Sequence, residues 1–193
     1  MLTQAARAGL QSGSIMAVAD VFTQWLVEAK EFPDEFDAMR TMRWALAGVT
    51  LHGPYFFLGF SMVDKRLGAA TTLKVVAQKT AIAQFVLFPP YLVALFGFMG
   101  VMERHPNISE KNRVRVPEAF VSGCLYWPIA NGINFALVPA SLRVPYVAAS
   151  SGFVSDMKNL KCFCGVVKGH CQWPLILLEF YPTTLTICSG THT

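Results

Sequence analysis

Few residues in this chain have types and spacing that could do chemistry. One group sits near the C-terminus, where Cys162-x-Cys164 is followed by His170-Cys171, soft ligands of the kind that bind zinc or copper. The two pairs lack the C-x₂-C spacing of structural zinc sites, so no metal and no cofactor is expected. No phosphate-binding G-x-x-x-x-G-K-[ST] loop, G-x-S-x-G elbow or H-E-x-x-H pair occurs, and no combination of Cys, His and acid has the spacing of a triad. The chain is therefore not expected to be an enzyme. Nor do the five cysteines form a disulfide framework: their number is odd and four cluster near the C-terminus, while Cys124 lies in an apolar stretch, where a small buried side chain is expected.

A second set consists of polar residues embedded in apolar runs. Gly9, Gly13, Ala17, Asp20 and Gln24 recur at helical spacing, which places them on one helix face. The Gly9–Gly13 step lets another helix approach closely. Asp20 then either bridges to a neighbouring helix or presents charge to a water-filled pathway. Ala45, Gly48, His52, Tyr55 and Gly59 repeat the pattern, with a kink expected at His52-Gly53-Pro54. A third stretch holds Gln84 and then Pro89-Pro90, read as a break. A fourth holds Trp127-Pro128, then Asn131 and Asn134 on one face. Such side chains either bond between helices or line a wet cavity.

The elements that must position these residues follow from composition. Of 193 residues 53% are hydrophobic and 15% charged, and mean hydropathy is +0.42. A charged share of about 25% is usual in soluble domains. The charges mark off four apolar runs, about 8–27, 44–63, 80–102 and 119–142, with only Asp20 charged inside any of them. Each is as long as the roughly 20 residues that cross a bilayer as a helix, and none alternates like a barrel strand. The expected fold is all-α, a polytopic bundle of about four transmembrane helices over residues 1–155, with an atypical tail over 156–193. A shorter apolar piece, Val144 to Ser155, either continues the fourth helix or lies at the interface. The basic residues form no continuous run, so the net charge of +4 does not point to nucleic acid. Expected partners are the lipid bilayer, small solutes or ions, and, as an option, further copies of the chain. Residues 1–10 lack a compact apolar leader, so internal signals are expected to direct the chain.

An ordered set of residues resembles the Mpv-seventeen family, the family of the twenty-two-kilodalton peroxisomal membrane protein. It comprises Asp20 and Gln24, then Asp37-x-x-Arg40-x-x-Arg43, Gly48, Gly53-Pro54 and Asp64, then Lys79, Gln84 and Pro89. It closes with Trp127-Pro128-x-x-Asn131-x-x-Asn134-Phe135-x-x-Val138-Pro139-x-x-x-Arg143. Departures include Ala83 where the family has Asp, and Asn131 where Gln is frequent; residues 156–193 do not resemble it. The resemblance implies a four-helix protein of the mitochondrial inner membrane, with the peroxisomal membrane as alternative. It also implies a weakly selective channel for small solutes, linked to mitochondrial DNA maintenance and reactive-oxygen metabolism. A non-conducting scaffold or assembly factor is the alternative.

Overall fold

The computed structural model describes residues 2–68 and 71–151. Among these the regular structure is helical. Helix α1 comprises Leu2–Phe22 and a π-helical turn, Thr23–Val27. Helix α2 is Ala38–Leu67, α3 is Leu73–Met102, α4 is Ile108–Leu137, and a short α5 covers 143–151. Asp37 caps α2, its side chain accepting from the Arg40 amide at 2.9 Å. Gly68 ends it with φ 76°, the left-handed conformation that glycine adopts without a Cβ penalty.

The helices run up and down. Gly9 and Gly13 of α1 meet Gly53 and Gly48 of α2 in reverse order, and backbone touches backbone there. A Cβ on Gly48 would stand 2.5 Å from the Gly13 Cα. Next, α3 packs on α2 through Leu87 against Gly59, and the Tyr55 hydroxyl donates to the Leu87 carbonyl at 2.7 Å. Then α4 returns along α3, with Ile108 on Gly100 at one end and Trp127 on Phe88 further along. The core is aromatic and joins α2, α3 and α4. Phe56 packs against Tyr91 with the rings tilted and centroids 4.7 Å apart, and Phe60 meets Phe135 edge-on at 5.3 Å.

The break expected at Pro89-Pro90 does not occur, and the helix also continues through His52-Gly53-Pro54, the expected kink site. Each proline lacks the N–H that would bond the carbonyl four residues earlier. The mismatch is absorbed upstream as one wide turn, Gly48–His52 in α2 and Ala83–Leu87 in α3. Pro117 and Pro128 both lie inside α4, which continues through them.

The helices extend beyond the apolar runs: α2 begins at Ala38 and α3 at Leu73, about two turns before the runs that start near 44 and 80. At the other extreme α4 stops at Leu137, short of 142, because Val138 is extended and Pro139 begins a turn. The piece after Arg143 is thus a separate helix as far as residue 151, not a continuation of α4. The tail over 156–193 lies outside the described residues.

Besides the apolar core, large apolar side chains cover the exterior and several polar ones lie inside. Leu10, Val18, Leu125, Ile129 and Leu137 face outward, while Ser12, Asp20, Gln24, His52, Lys79, Gln84 and Asn134 are buried. Helices α2 and α3, 30 residues each, are long and apolar enough to cross a membrane.

Candidate functional site: two charge clusters and a polar column

At one end of the bundle, Asp20 is buried by its neighbours rather than left alone. Its carboxylate accepts from Arg40 Nε at 2.9 Å, from Gln24 Nε2 at 2.9 Å and from Thr41 Oγ1 at 2.6 Å. Arg40 Nη1 also binds Glu28 at 2.9 Å, and Lys30 pairs with the same carboxylate at 3.2 Å. Gln24 is fully buried and clamps the loop, since its Oε1 accepts the Asp37 amide at 2.8 Å. Asp20 therefore bridges α1 to α2 in this structure. It is also not the sole charge within the helices: Arg40, Lys79 and Arg143 are buried too.

At the opposite end, the Asp64 carboxylate takes Lys79 Nζ at 2.7 Å and the Arg143 guanidinium, which also donates through Nε to the Val138 carbonyl at 3.2 Å. Both cations lie over the Phe135 ring, at 5.9 and 5.3 Å from its centroid. Arg40 and Asp64 are 24 positions apart on α2. At 1.5 Å per residue that is about 36 Å, slightly more than the roughly 30 Å of hydrocarbon in a bilayer. The two clusters thus lie along α2 at a separation comparable to the hydrocarbon thickness of a bilayer.

Between the clusters, the facing surfaces of α2, α3 and α4 carry buried polar atoms with no hydrogen-bond partner: His52 Nε2, Thr80 Oγ1, Gln84 Oε1, Asn131 Oδ1, and both polar atoms of the Asn134 amide. His52 Nδ1 meets Ser12 Oγ at 3.2 Å, and Gln84 Nε2 donates to Cys124 Sγ at 3.4 Å. Cys124, expected to be a buried apolar side chain, is half-buried and accepts that bond. His52, Phe56, Phe88, Tyr91, Trp127 and Asn131 surround a small cavity of about 10 Å³. That is roughly the room of a single water.

The remaining motif residues have mostly architectural places. Gly48 and Gly53 let α1 touch α2, Pro54 and Pro89 follow the wide turns, and Pro139 turns the chain from α4 toward Arg143. Arg43 is half-buried in α2 and Pro128 lies within α4. Sequence reasoning missed Lys79, Asp64, Glu28 and Thr41 as interior partners. The first three mark the ends of apolar runs in the sequence. Their positions within a turn or two of helix ends were the available signal. Among the described residues no group of three or more His, Cys, Asp or Glu could hold a metal, and Cys162, Cys164, His170 and Cys171 lie outside them.

A bundle that is helical throughout the described residues, with an apolar exterior, polar side chains buried beside its apolar core and charge clusters about a bilayer's thickness apart, is a polytopic membrane protein. Residues 100–154 match the sequence profile of the Mpv17 / PMP22 family. Protein sym-1 of Neurospora crassa is 30% identical over 148 residues, covering 76% of this chain and 83% of its own. PXMP2/4 family protein 4 of Dictyostelium discoideum is 28% identical over 138 residues, 70% of this chain and 74% of its own. The mitochondrial inner membrane protein Mpv17 of Drosophila melanogaster is 24% identical over 143 residues, 72% of this chain and 83% of its own. No solved structure matches. The chain belongs to the Mpv17 / PMP22 family. It is a multi-pass organelle membrane protein of the mitochondrial inner membrane, with the peroxisomal membrane as the family's alternative address.

Proposed function

We propose that the chain is a weakly selective pathway for small polar solutes through its membrane, running along the polar column between α2, α3 and α4. The observation that carries this reading is the set of unpartnered buried polar atoms on three facing helices. A buried polar group without a partner costs roughly 1–3 kcal/mol. A packed scaffold gains nothing from six such atoms, whereas a conduit uses them to replace the hydration of a passing solute. The conformation described is closed, with the aromatic side chains around the 10 Å³ cavity as its gate. On this reading the family's links to mitochondrial DNA maintenance and reactive-oxygen metabolism follow from solute supply across the membrane. No catalytic step is assigned.

The scaffold reading has one observation in its favour, the small volume of that cavity. Planar-bilayer recording of the purified chain separates the two. The expected result is stepwise current, with unitary conductance raised by Trp127→Ala, which removes the largest side chain lining the cavity. A silent wild type and a silent Trp127→Ala variant, both folded, would leave the scaffold.

A further inference from the structure

The two ends of the bundle carry different charge. Around the Asp20 cluster, residues 20–43 and 103–118 hold nine carboxylates against seven basic side chains, a net of −2. At the other end, among the described residues, Arg7, Lys65, Arg66, Lys74, Lys79 and Arg143 stand with the one carboxylate of Asp64, a net of +5. Basic residues alone do not orient the protein, because both ends are rich in them. The potential is nevertheless lopsided, and a low-dielectric surround focuses it at the positive mouth.

The centre of that mouth is unusual in its burial. The Lys79 side chain is 1% exposed and that of Arg143 is 9%, whereas the Asp64 side chain they share is 28% exposed. Two buried cations thus share one carboxylate that remains open to water. An isolated excess charge in a desolvated site is costly unless paired. Phe135 offers both cations its ring face, which lowers that cost without supplying a counter-charge. The polar column starts beside them, since Thr80 follows Lys79 and Asn134 precedes Phe135.

We propose that Lys79 and Arg143 form a binding and selectivity site for small anions, carboxylates or phosphates, at the positive mouth, with the Asp64 carboxylate standing where the anion binds. The inference rests on the conducting reading for its role, though anion binding itself can be measured without conduction. An arriving anion exchanges with Asp64, which swings toward water, and the two cations keep a partner throughout. Arg143 provides a planar fork suited to an oxyanion, and Lys79 a point charge on the opposite side.

The test is thermal unfolding of the full chain in an uncharged detergent, titrated with inorganic phosphate at constant ionic strength. Phosphate should stabilise the wild type in a saturable way. Lys79→Gln should weaken phosphate affinity by about tenfold, equal to 1.4 kcal/mol, and Lys79→Arg should preserve it. Should Lys79→Gln not fold, Asp64→Asn decides, because removing the internal competitor should tighten binding. Absence of a phosphate-dependent shift, or equal affinities in wild type and Asp64→Asn, would overturn the site. Stabilisation by an anionic phospholipid with none by inorganic phosphate would overturn the solute version in favour of a headgroup. A chain that binds phosphate as described but is silent in bilayers keeps the site and loses the conducting role. A chain that conducts without binding phosphate loses the site alone.

Discussion

Gly48→Ala should abolish the folded bundle or lower its thermal midpoint drastically, although it adds a single methyl group. The new Cβ would stand 2.5 Å from the Gly13 Cα and 2.7 Å from the Gly13 amide nitrogen. Those atoms are backbone, so no rotamer change can make room, and α1 must move away from α2 along its length. Overpacking a core commonly costs roughly 1–3 kcal/mol and occasionally more. Here the upper end or beyond is expected, because the displaced contact includes the reciprocal approach of Gly53 to Gly9 and the Asp20–Arg40 pair further along. Size-exclusion profile and thermal unfolding in mild detergent provide the readout. Gly132→Ala is the control, since nothing lies within 4 Å of its added methyl group. It should be neutral, or stabilising by up to about 1 kcal/mol through helix propensity. Equal behaviour of the two variants would contradict the backbone-contact account of α1 and α2.

The second large effect belongs to Arg40→Met. Arg40 is bound through Nε to Asp20 and through Nη1 to Glu28, whose side chains are 2% and 6% exposed. Met matches the apolar volume and removes the charge, so two carboxylates remain buried, with Lys30 on Glu28 the closest compensation. Breaking a buried pair on one side costs roughly 3–5 kcal/mol, because the surviving charge has lost its partner. Arg40→Lys should be intermediate, since one ammonium cannot reproduce the fork that reaches both acids. Adding Asp20→Asn to Arg40→Met should recover part of the loss, since the amide no longer needs a counter-charge. A double-mutant cycle on unfolding midpoints measures this. Additive losses, with no recovery in the double variant, would show that the pair is not coupled as its geometry requires.

Much of this architecture is legible in the sequence because lipid makes a simple demand. Uninterrupted apolar stretches of bilayer length are helices, and small residues at helical spacing are where helices meet. Gly9 and Gly13 could be assigned a contact face from spacing alone, and the structure sets them on Gly53 and Gly48. What the spacing does not carry is the partner. The bond from Arg143 to Asp64 joins residues 79 apart, and nothing local to either announces it. Charges bound the apolar runs in the sequence, yet in the folded chain Lys79, at the edge of one run, and Arg40, just outside another, lie inside continuous helices, their charge met by acids on neighbouring elements. The wide turns before Pro54 and Pro89 were likewise hidden, because a proline signals only that a hydrogen bond is lost, not whether the helix kinks, stops or widens. The column of polar atoms was visible as single residues, His52, Gln84, Asn131 and Asn134. Their union emerged only when α2, α3 and α4 were brought together.

The central claim, that this column admits water and small solutes, is tested most directly by thiol accessibility in the membrane. Single cysteines introduced by Gln84→Cys and Asn131→Cys, in a chain whose native cysteines are replaced by Ser, are exposed to a small charged methanethiosulfonate in proteoliposomes. Leu125→Cys, on the outward apolar surface at 76% exposure, is the lipid-facing reference. The account predicts that both column positions are modified while the Leu125 position is not, although the latter is far more exposed in the absence of lipid. Column cysteines as unreactive as the one at position 125 would contradict it, leaving a sealed bundle rather than a pathway.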